Sequence, residues 1–126
     1  MIKGLGTDIV DVERVKQKIE KPFGFLEKVY SAQEIAICEP KGQLKYESYA
    51  GRFAAKEAFL KAAGVSWIDE FNLNEIEILN EVSGKPYLKL SGSAKEWAIS
   101  VCVCSMQLSI SHTKAYATAT VILEHE

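Results

Sequence analysis

Phe53, Glu57 and Lys61 recur at four-residue spacing within YESYAGRFAAKEAFLKAAG, so on a helix a carboxylate and an ammonium share one face, one turn apart. Arg52 and Lys56 share a second face. Taken alone, the Glu57 to Lys61 spacing describes a helix-stabilising pair worth roughly 0.2–0.5 kcal/mol. Metal or phosphate chemistry needs a second carboxylate. Asp8 is the candidate, because it follows Gly4 and Gly6, which let another backbone approach an early strand closely. On its own, Asp8 also fits a turn or a cap. Two carboxylates from distant parts of the chain, with a lysine beside them, are the kind of hard oxygen site in which magnesium keeps several waters and binds substrate phosphate. Spacing does not show that they meet.

The elements that must position these residues are legible from periodicity. Ile2 to Val10 is apolar, β-branched and glycine-containing, and Asp11 can cap a helix through VERVKQKIE whose buried stripe is Val12, Val15 and Ile19. A helical stretch over Phe25 to Cys38 breaks at Ser31, a cap residue. The alanine-rich helix carrying Glu57 and Lys61 stops at Gly64, and its small side chains let neighbours pack close. Glu75 to Leu79 alternates as a strand, Ser83 to Lys85 supplies a turn, and Pro86 to Leu90 returns as the hairpin partner. A short helix from Ser93 through Trp97 follows, then strands Gln107 to Ser111 and Tyr116 to Leu123 joined through His112 to Ala115. Helices mixed with hairpins predict an α+β fold with a mainly antiparallel sheet. The loop-like stretches, around Glu39 to Gln43 and Val82 to Pro86, are short, and no repeat or low-complexity tract interrupts the chain, so a single domain over residues 1–126 is expected.

Composition narrows the function classes. The 126 residues, 48% hydrophobic and 25% charged, suit one soluble globular domain. A net charge of -2 provides no global basic field, so nucleic acid is not an expected partner, and an acidic partner requires a local basic patch. MIKGLGTDIV has neither the basic start nor the long apolar run of a secretory signal, and no segment is long enough to cross a bilayer, so no membrane association and a cytoplasmic location are expected. Cys38, Cys102 and Cys104 suit neither a disulfide framework nor a four-ligand zinc site and read as reduced core thiols.

Four blocks, GLGTDIVDVERV, GRFAAKEAFLKAAG, SGKPYLKL and SISHTKAYATATVILE, resemble in the same order those of bacterial holo-acyl-carrier-protein synthases, and together they span nearly the whole chain. The G-x-D-I block with the F-x-x-K-E-A-x-x-K-A block is specific to the 4'-phosphopantetheinyl transferase superfamily, and the short length resembles its small, trimeric group. The resemblance implies an enzyme that moves 4'-phosphopantetheine from coenzyme A to a serine of acyl carrier protein in fatty acid biosynthesis, releasing adenosine 3',5'-bisphosphate. It further implies that Asp8 and Glu57 hold a magnesium ion, completed by pyrophosphate oxygens and water, and that Lys61 neutralises pyrophosphate charge. Proton removal from serine falls either to water held by the metal or to a carboxylate such as Glu57 or Glu34, an exposed helix glutamate being the ordinary reading of Glu34. His112, with Ser111 and Thr113 beside it, is implied to contact phosphate or nucleotide, with general-base duty as the other role open to the histidine. Gly84, Lys85 and Pro86 resemble the family's G-K-P turn, although hairpin geometry alone also explains them.

The first helix carries Arg14, Lys18 and Lys21 at i, i+4 and i+7, one basic face opposite the Val12, Val15 and Ile19 stripe. An ordinary solvated face has this pattern; in the family, that helix receives an acidic helix of the carrier protein. The stretch Lys95 to Met106 departs from the family pattern in being longer and more apolar, as an extended helix or an extra strand. Three other functions compete with the specific synthase: a broader-specificity carrier-protein transferase, a non-catalytic coenzyme A-binding module and a structural oligomeric protein. Asp8, Glu57 and Lys61 occurring together speak against the last two.

Overall fold

A computed structural model describes residues 1–65 and 71–126. Strand β1 (Ile2–Asp11) leads into helix α1 (Val12–Glu20), whose first turn is capped by the Asp11 carboxylate accepting from the amides of Glu13 and Arg14. Helices α2 (Phe25–Val29) and α3 (Ala32–Cys38) are separated by Tyr30 and Ser31, and Ser31 and Glu34 form a reciprocal capping box. Short 3-10 turns over Glu39–Leu44 feed the long helix α4 (Lys45–Ala63), which ends where Gly64 takes the left-handed conformation at φ 76°. A 3-10 turn (Leu73–Glu75), the hairpin β2 (Ile76–Asn80) and β3 (Pro86–Leu90), helix α5 (Gly92–Ser100), and strands β4 (Val103–His112) and β5 (Tyr116–His125) complete the chain. The Lys95 to Met106 stretch is not an extra strand: it extends the helix to Ser100, turns at Cys102 with φ 61°, and lengthens the expected Gln107 to Ser111 strand back to Val103.

The strands form two antiparallel sheets, β1-β5-β4 and β2-β3, so the fold is α+β as the pattern of elements predicts. In the larger sheet, alternation sends Gly4, Gly6, Asp8 and Val10 of β1, Ala117 to Leu123 in steps of two on β5, and Met106, Leu108, Ile110 and His112 of β4 to the face that α4 covers. The core lies between that face and α1 to α4. Phe59, Tyr49 and Val121 are fully buried, and each large apolar side chain so placed contributes roughly 1.5–3 kcal/mol. The opposite sheet face carries Leu5 and Ile9, 64% and 68% exposed, beside Thr7, Thr118 and Ser109, and lies open among the described residues.

Two expectations are corrected by burial. Glu34 is not an exposed helix glutamate: it is fully buried and paired with the equally buried Lys56 at 2.7 Å. Its other oxygen accepts from the Ile78 amide at 3.0 Å, and Lys56 also donates to the carbonyls of Leu73 and Ile76, so the pair ties α3, α4 and β2 together. Burial presses Lys56 toward neutrality and the Glu34 charge opposes it. Cys102 and Cys104 are exposed, leaving Cys38 as the only core thiol of the three, because the first two fall in the turn and the bulge where β4 begins.

Candidate active site

Helix α4 crosses the larger sheet diagonally, and glycines mark where it comes closest. A Cβ on Gly4 would lie 1.9 Å from the Ala62 carbonyl oxygen and one on Gly6 would lie 2.0 Å from that of Ala58, so no side chain fits at either position. Two residues along β1 correspond to one turn back along α4, since two strand residues span about 6.6 Å and four helix residues about 6 Å. The next step brings Asp8 beside the turn containing Ala54 to Glu57. Lys61 Nζ donates to Asp8 Oδ1 at 2.9 Å and to the Thr7 carbonyl at 3.1 Å. Glu57 is half-buried, and that burial, followed by the negative charge of Asp8, raises its pKa above the ordinary glutamate value; Lys61 and Lys18 act in the opposite sense. The two carboxylates and the lysine therefore share one site.

Lys18 of α1 completes its rim. Its ammonium lies 5.6 Å from the ring centre of Phe53 and 5.8 Å from that of Phe25, and both rings pack against the core. Arg14 and Lys18 are exposed on α1, and Lys21 stands just past the helix end in extended conformation.

A second set of residues gathers at the other end of α4. A cavity of about 400 Å³ is lined by Lys41, Glu47, Ser48, Gly51, Arg52, Asn80, Gly84, Pro86, Ile110 and His112. Arg52 donates from Nε to the Ile78 carbonyl at 3.1 Å, from Nη1 to Ser48 Oγ at 2.9 Å and from Nη2 to Asn80 Oδ1 at 2.7 Å. Asn80 in turn donates to the Gly84 carbonyl at 3.0 Å, so a polar chain runs from α4 to the β2–β3 turn. Three of the five guanidinium N–H groups are used there. Lys41 Nζ reaches Ser48 Oγ at 3.1 Å. His112, expected in the connection between the last strands, is instead the final residue of β4 and reaches Glu47 Oε1 through Nδ1 at 3.0 Å. Lys85 is exposed and outside the lining, Ser111 is exposed on the open sheet face, and Thr113 Oγ1 accepts from the Ala115 and Tyr116 amides to close the β4–β5 turn.

A model of the 4'-phosphopantetheinyl transferase superfamily matches residues 4–121. The chain belongs to that superfamily. Within it, the chain is 47% identical over 120 residues to the holo-[acyl-carrier-protein] synthase of Ruminiclostridium cellulolyticum, covering 94% of this chain and 90% of the relative. The synthase of Cytophaga hutchinsonii is 46% identical over 124 residues, 97% of each chain. Among solved structures, the holo-(acyl-carrier-protein) synthase of Bacillus anthracis in complex with CoA (3',5'-ADP) superposes with a TM-score of 0.83 at 35% identity, covering 100% of this chain and 99% of that one. The synthase of Neisseria meningitidis gives 0.88 at 29% identity over 98% and 99%.

Sequence reasoning singled out Asp8, Glu57 and Lys61, and the fold brings them together; it places His112, Gly84 and Pro86 in the separate cavity. Lys41, Glu47, Ser48 and Asn80 escaped notice, and Arg52 was read only as part of a second helix face. The signal available for them was Ser48 and Arg52 one turn apart beside Gly51, whose missing side chain admits Ile110 to contact.

Proposed function

We propose that this member of the 4'-phosphopantetheinyl transferase superfamily transfers 4'-phosphopantetheine from coenzyme A to a serine of apo-acyl carrier protein, giving holo-acyl carrier protein and adenosine 3',5'-bisphosphate. The observation that carries the reading is the convergence of Asp8, Glu57 and Lys61 from β1 and α4 in a chain 47% identical to a holo-[acyl-carrier-protein] synthase. The serine oxygen forms the new bond to the phosphorus next to pantetheine, the bond to the adenosine bisphosphate breaks, and the serine proton is lost.

Asp8 and Glu57 fit a magnesium ion by their chemistry: two hard oxygen donors whose mutual repulsion, visible in the raised Glu57 pKa, a divalent cation relieves. Among the described residues no third His, Cys, Asp or Glu joins them, and Asp8 and Glu57 would hold such an ion together with substrate oxygens and solvent. When bound, the ion supplies electrostatic stabilisation to the departing phosphate. Lys61 holds Asp8 in place and offers its charge to the pyrophosphate. Of the two carboxylates suggested for proton removal, Glu57 keeps a partly open face toward the site. Glu34 does not, because both its oxygens are engaged in the core.

The cavity around Lys41, Arg52 and His112 suits the nucleotide phosphates of coenzyme A. Glu57 lies ten residues beyond Glu47, about 15 Å along the helix, and Asp8 and His112 stand on the two edge strands of the sheet with β5 between them. One protomer thus presents two half-sites, separated along α4 and across the width of the sheet. The open sheet face with Leu5 and Ile9 gives copies of the chain a surface on which to associate, and a homotrimer with composite sites between neighbours joins the halves. Arg14, Lys18 and Lys21 receive the acidic carrier protein at the rim of the carboxylate site, with Lys18 belonging to both. A single domain is supported by one continuous apolar cluster reaching from Val12 to Leu123, and among the described residues no helix is long and apolar enough to cross a membrane; a cytoplasmic place of work is part of the proposal. The test is incubation with apo-acyl carrier protein, coenzyme A and magnesium, followed by mass spectrometry of the carrier; the unmodified mass alone would refute the transfer.

A further inference from the structure

The side of α4 that faces β4 holds a contact between a carboxylate and an imidazole, and the transfer chemistry above gives the carboxylate no role. At Gly51 the helix lies against the strand, where an added Cβ would sit 3.1 Å from Ile110 Cγ2. One turn back along α4 is Glu47, and two residues on along β4 is His112, steps of about 6 and 6.6 Å that keep the two in register. The result is the 3.0 Å contact between Glu47 Oε1 and His112 Nδ1. Glu47 is largely enclosed, its side chain 17% exposed, while the imidazole is 49% exposed and lines the cavity. An ionised carboxylate only accepts hydrogen bonds, so Nδ1 must carry a proton, and Nε2 is left to meet whatever enters.

We propose that Glu47 is the positioning residue for His112: by claiming Nδ1–H it fixes the ring so that Nε2 contacts a nucleotide phosphate in the cavity. The proposal rests on the reading of that cavity as the nucleotide end of the coenzyme A site. A phosphate oxygen also only accepts, so Nε2 meets it once the ring has taken a second proton. Lys41 and Arg52 are the other cationic side chains lining the cavity, and Glu47 is the carboxylate among them. The rest of the lining is uncharged.

The test has one arm without ligand and one with it. In the full chain labelled with nitrogen-15 histidine, with His125 told apart by His112→Asn, the neutral ring of His112 should show the Nδ1–H tautomer. In Glu47→Ala it should revert to the Nε2–H form that free imidazole prefers, while Glu47→Gln, whose amide oxygen still accepts, should keep the wild-type tautomer without the charge. Calorimetric affinity for adenosine 3',5'-bisphosphate should fall roughly 3- to 10-fold in Glu47→Ala at neutral pH, the half-exposed ring moderating the loss. The same change should have no further effect in a His112→Asn background. An unchanged tautomer in a folded Glu47→Ala variant, or additive losses in the double variant, overturns the proposal. Wild-type protein that shows the Nδ1–H tautomer yet binds no nucleotide would instead defeat the reading of the cavity, and the phosphate contact with it.

Discussion

At Glu57, function and stability pull in opposite directions. Burial and the neighbouring Asp8 charge raise its pKa, so the folded chain holds that proton more tightly than the unfolded chain does. The stabilisation this brings is complete below the ordinary carboxylate range and is lost as pH rises through the raised value; at neutral pH the ionised side chain is a cost. Glu57→Gln is therefore expected to melt roughly 1–3 °C above the parent at neutral pH without divalent metal, with the gap closing as pH falls toward 4. The same variant, like Asp8→Asn, is expected to lose at least about a hundredfold in turnover, since each keeps its shape but deletes the charge that the site requires. Paired calorimetry and transfer assays measure both effects. Near-normal activity in either folded variant would remove the metal assignment, and a lower melting temperature for Glu57→Gln would contradict the charge argument.

Among the elements, α4 sets the geometry through what its neighbours lack. Its closest approaches to β1 are glycine positions, and a methyl group on Gly6 would have to displace the backbone at Ala58. Gly6→Ala should cost about 3 kcal/mol or more by urea titration, at the upper end for overpacking, because a backbone carbonyl cannot swing aside as a side chain does. An equally stable variant would show that the strand and helix can separate at little cost. On the opposite side of α4, removing one member of the buried Lys56 and Glu34 pair leaves the other as an uncompensated charge. Lys56→Met is expected to destabilise by about 3–5 kcal/mol, and Lys56→Met with Glu34→Gln by clearly less. Equal losses in the single and double variants would deny the pairing its role.

At the scale of the whole molecule, the proposed composite site predicts an assembly of more than one chain. Ile9→Lys places a charge on the open sheet face without touching the core, and should convert the proposed trimer into an inactive monomer. A fully active monomer, wild type or variant, would refute the composite site. The basic face of α1 is a separate surface. Arg14→Glu should raise the Michaelis constant for carrier protein and flatten its dependence on salt, with affinity for coenzyme A unchanged, because steering charges are screened over roughly 10 Å at moderate ionic strength. An unaltered constant for carrier protein would return that face to ordinary solvation.

Local chemistry was enough for much of this protein. The Asp11 cap, the Ser31 break and the Gly64 stop depend on residues within a turn of one another, and the Gly4 and Gly6 pair announced a close backbone approach before any partner was known. The acidic character of the site was also legible, since it resides in residue types. What the chain alone left open were relations between distant segments. Only the tertiary packing decided that Glu34 belongs to the core, because its burial is made by β2 and α4 rather than by its own helix. Only the diagonal crossing of α4 decided that Asp8 lies near Glu57 while His112 lies near Glu47, for a helix pattern carries no record of which strand passes beneath each turn.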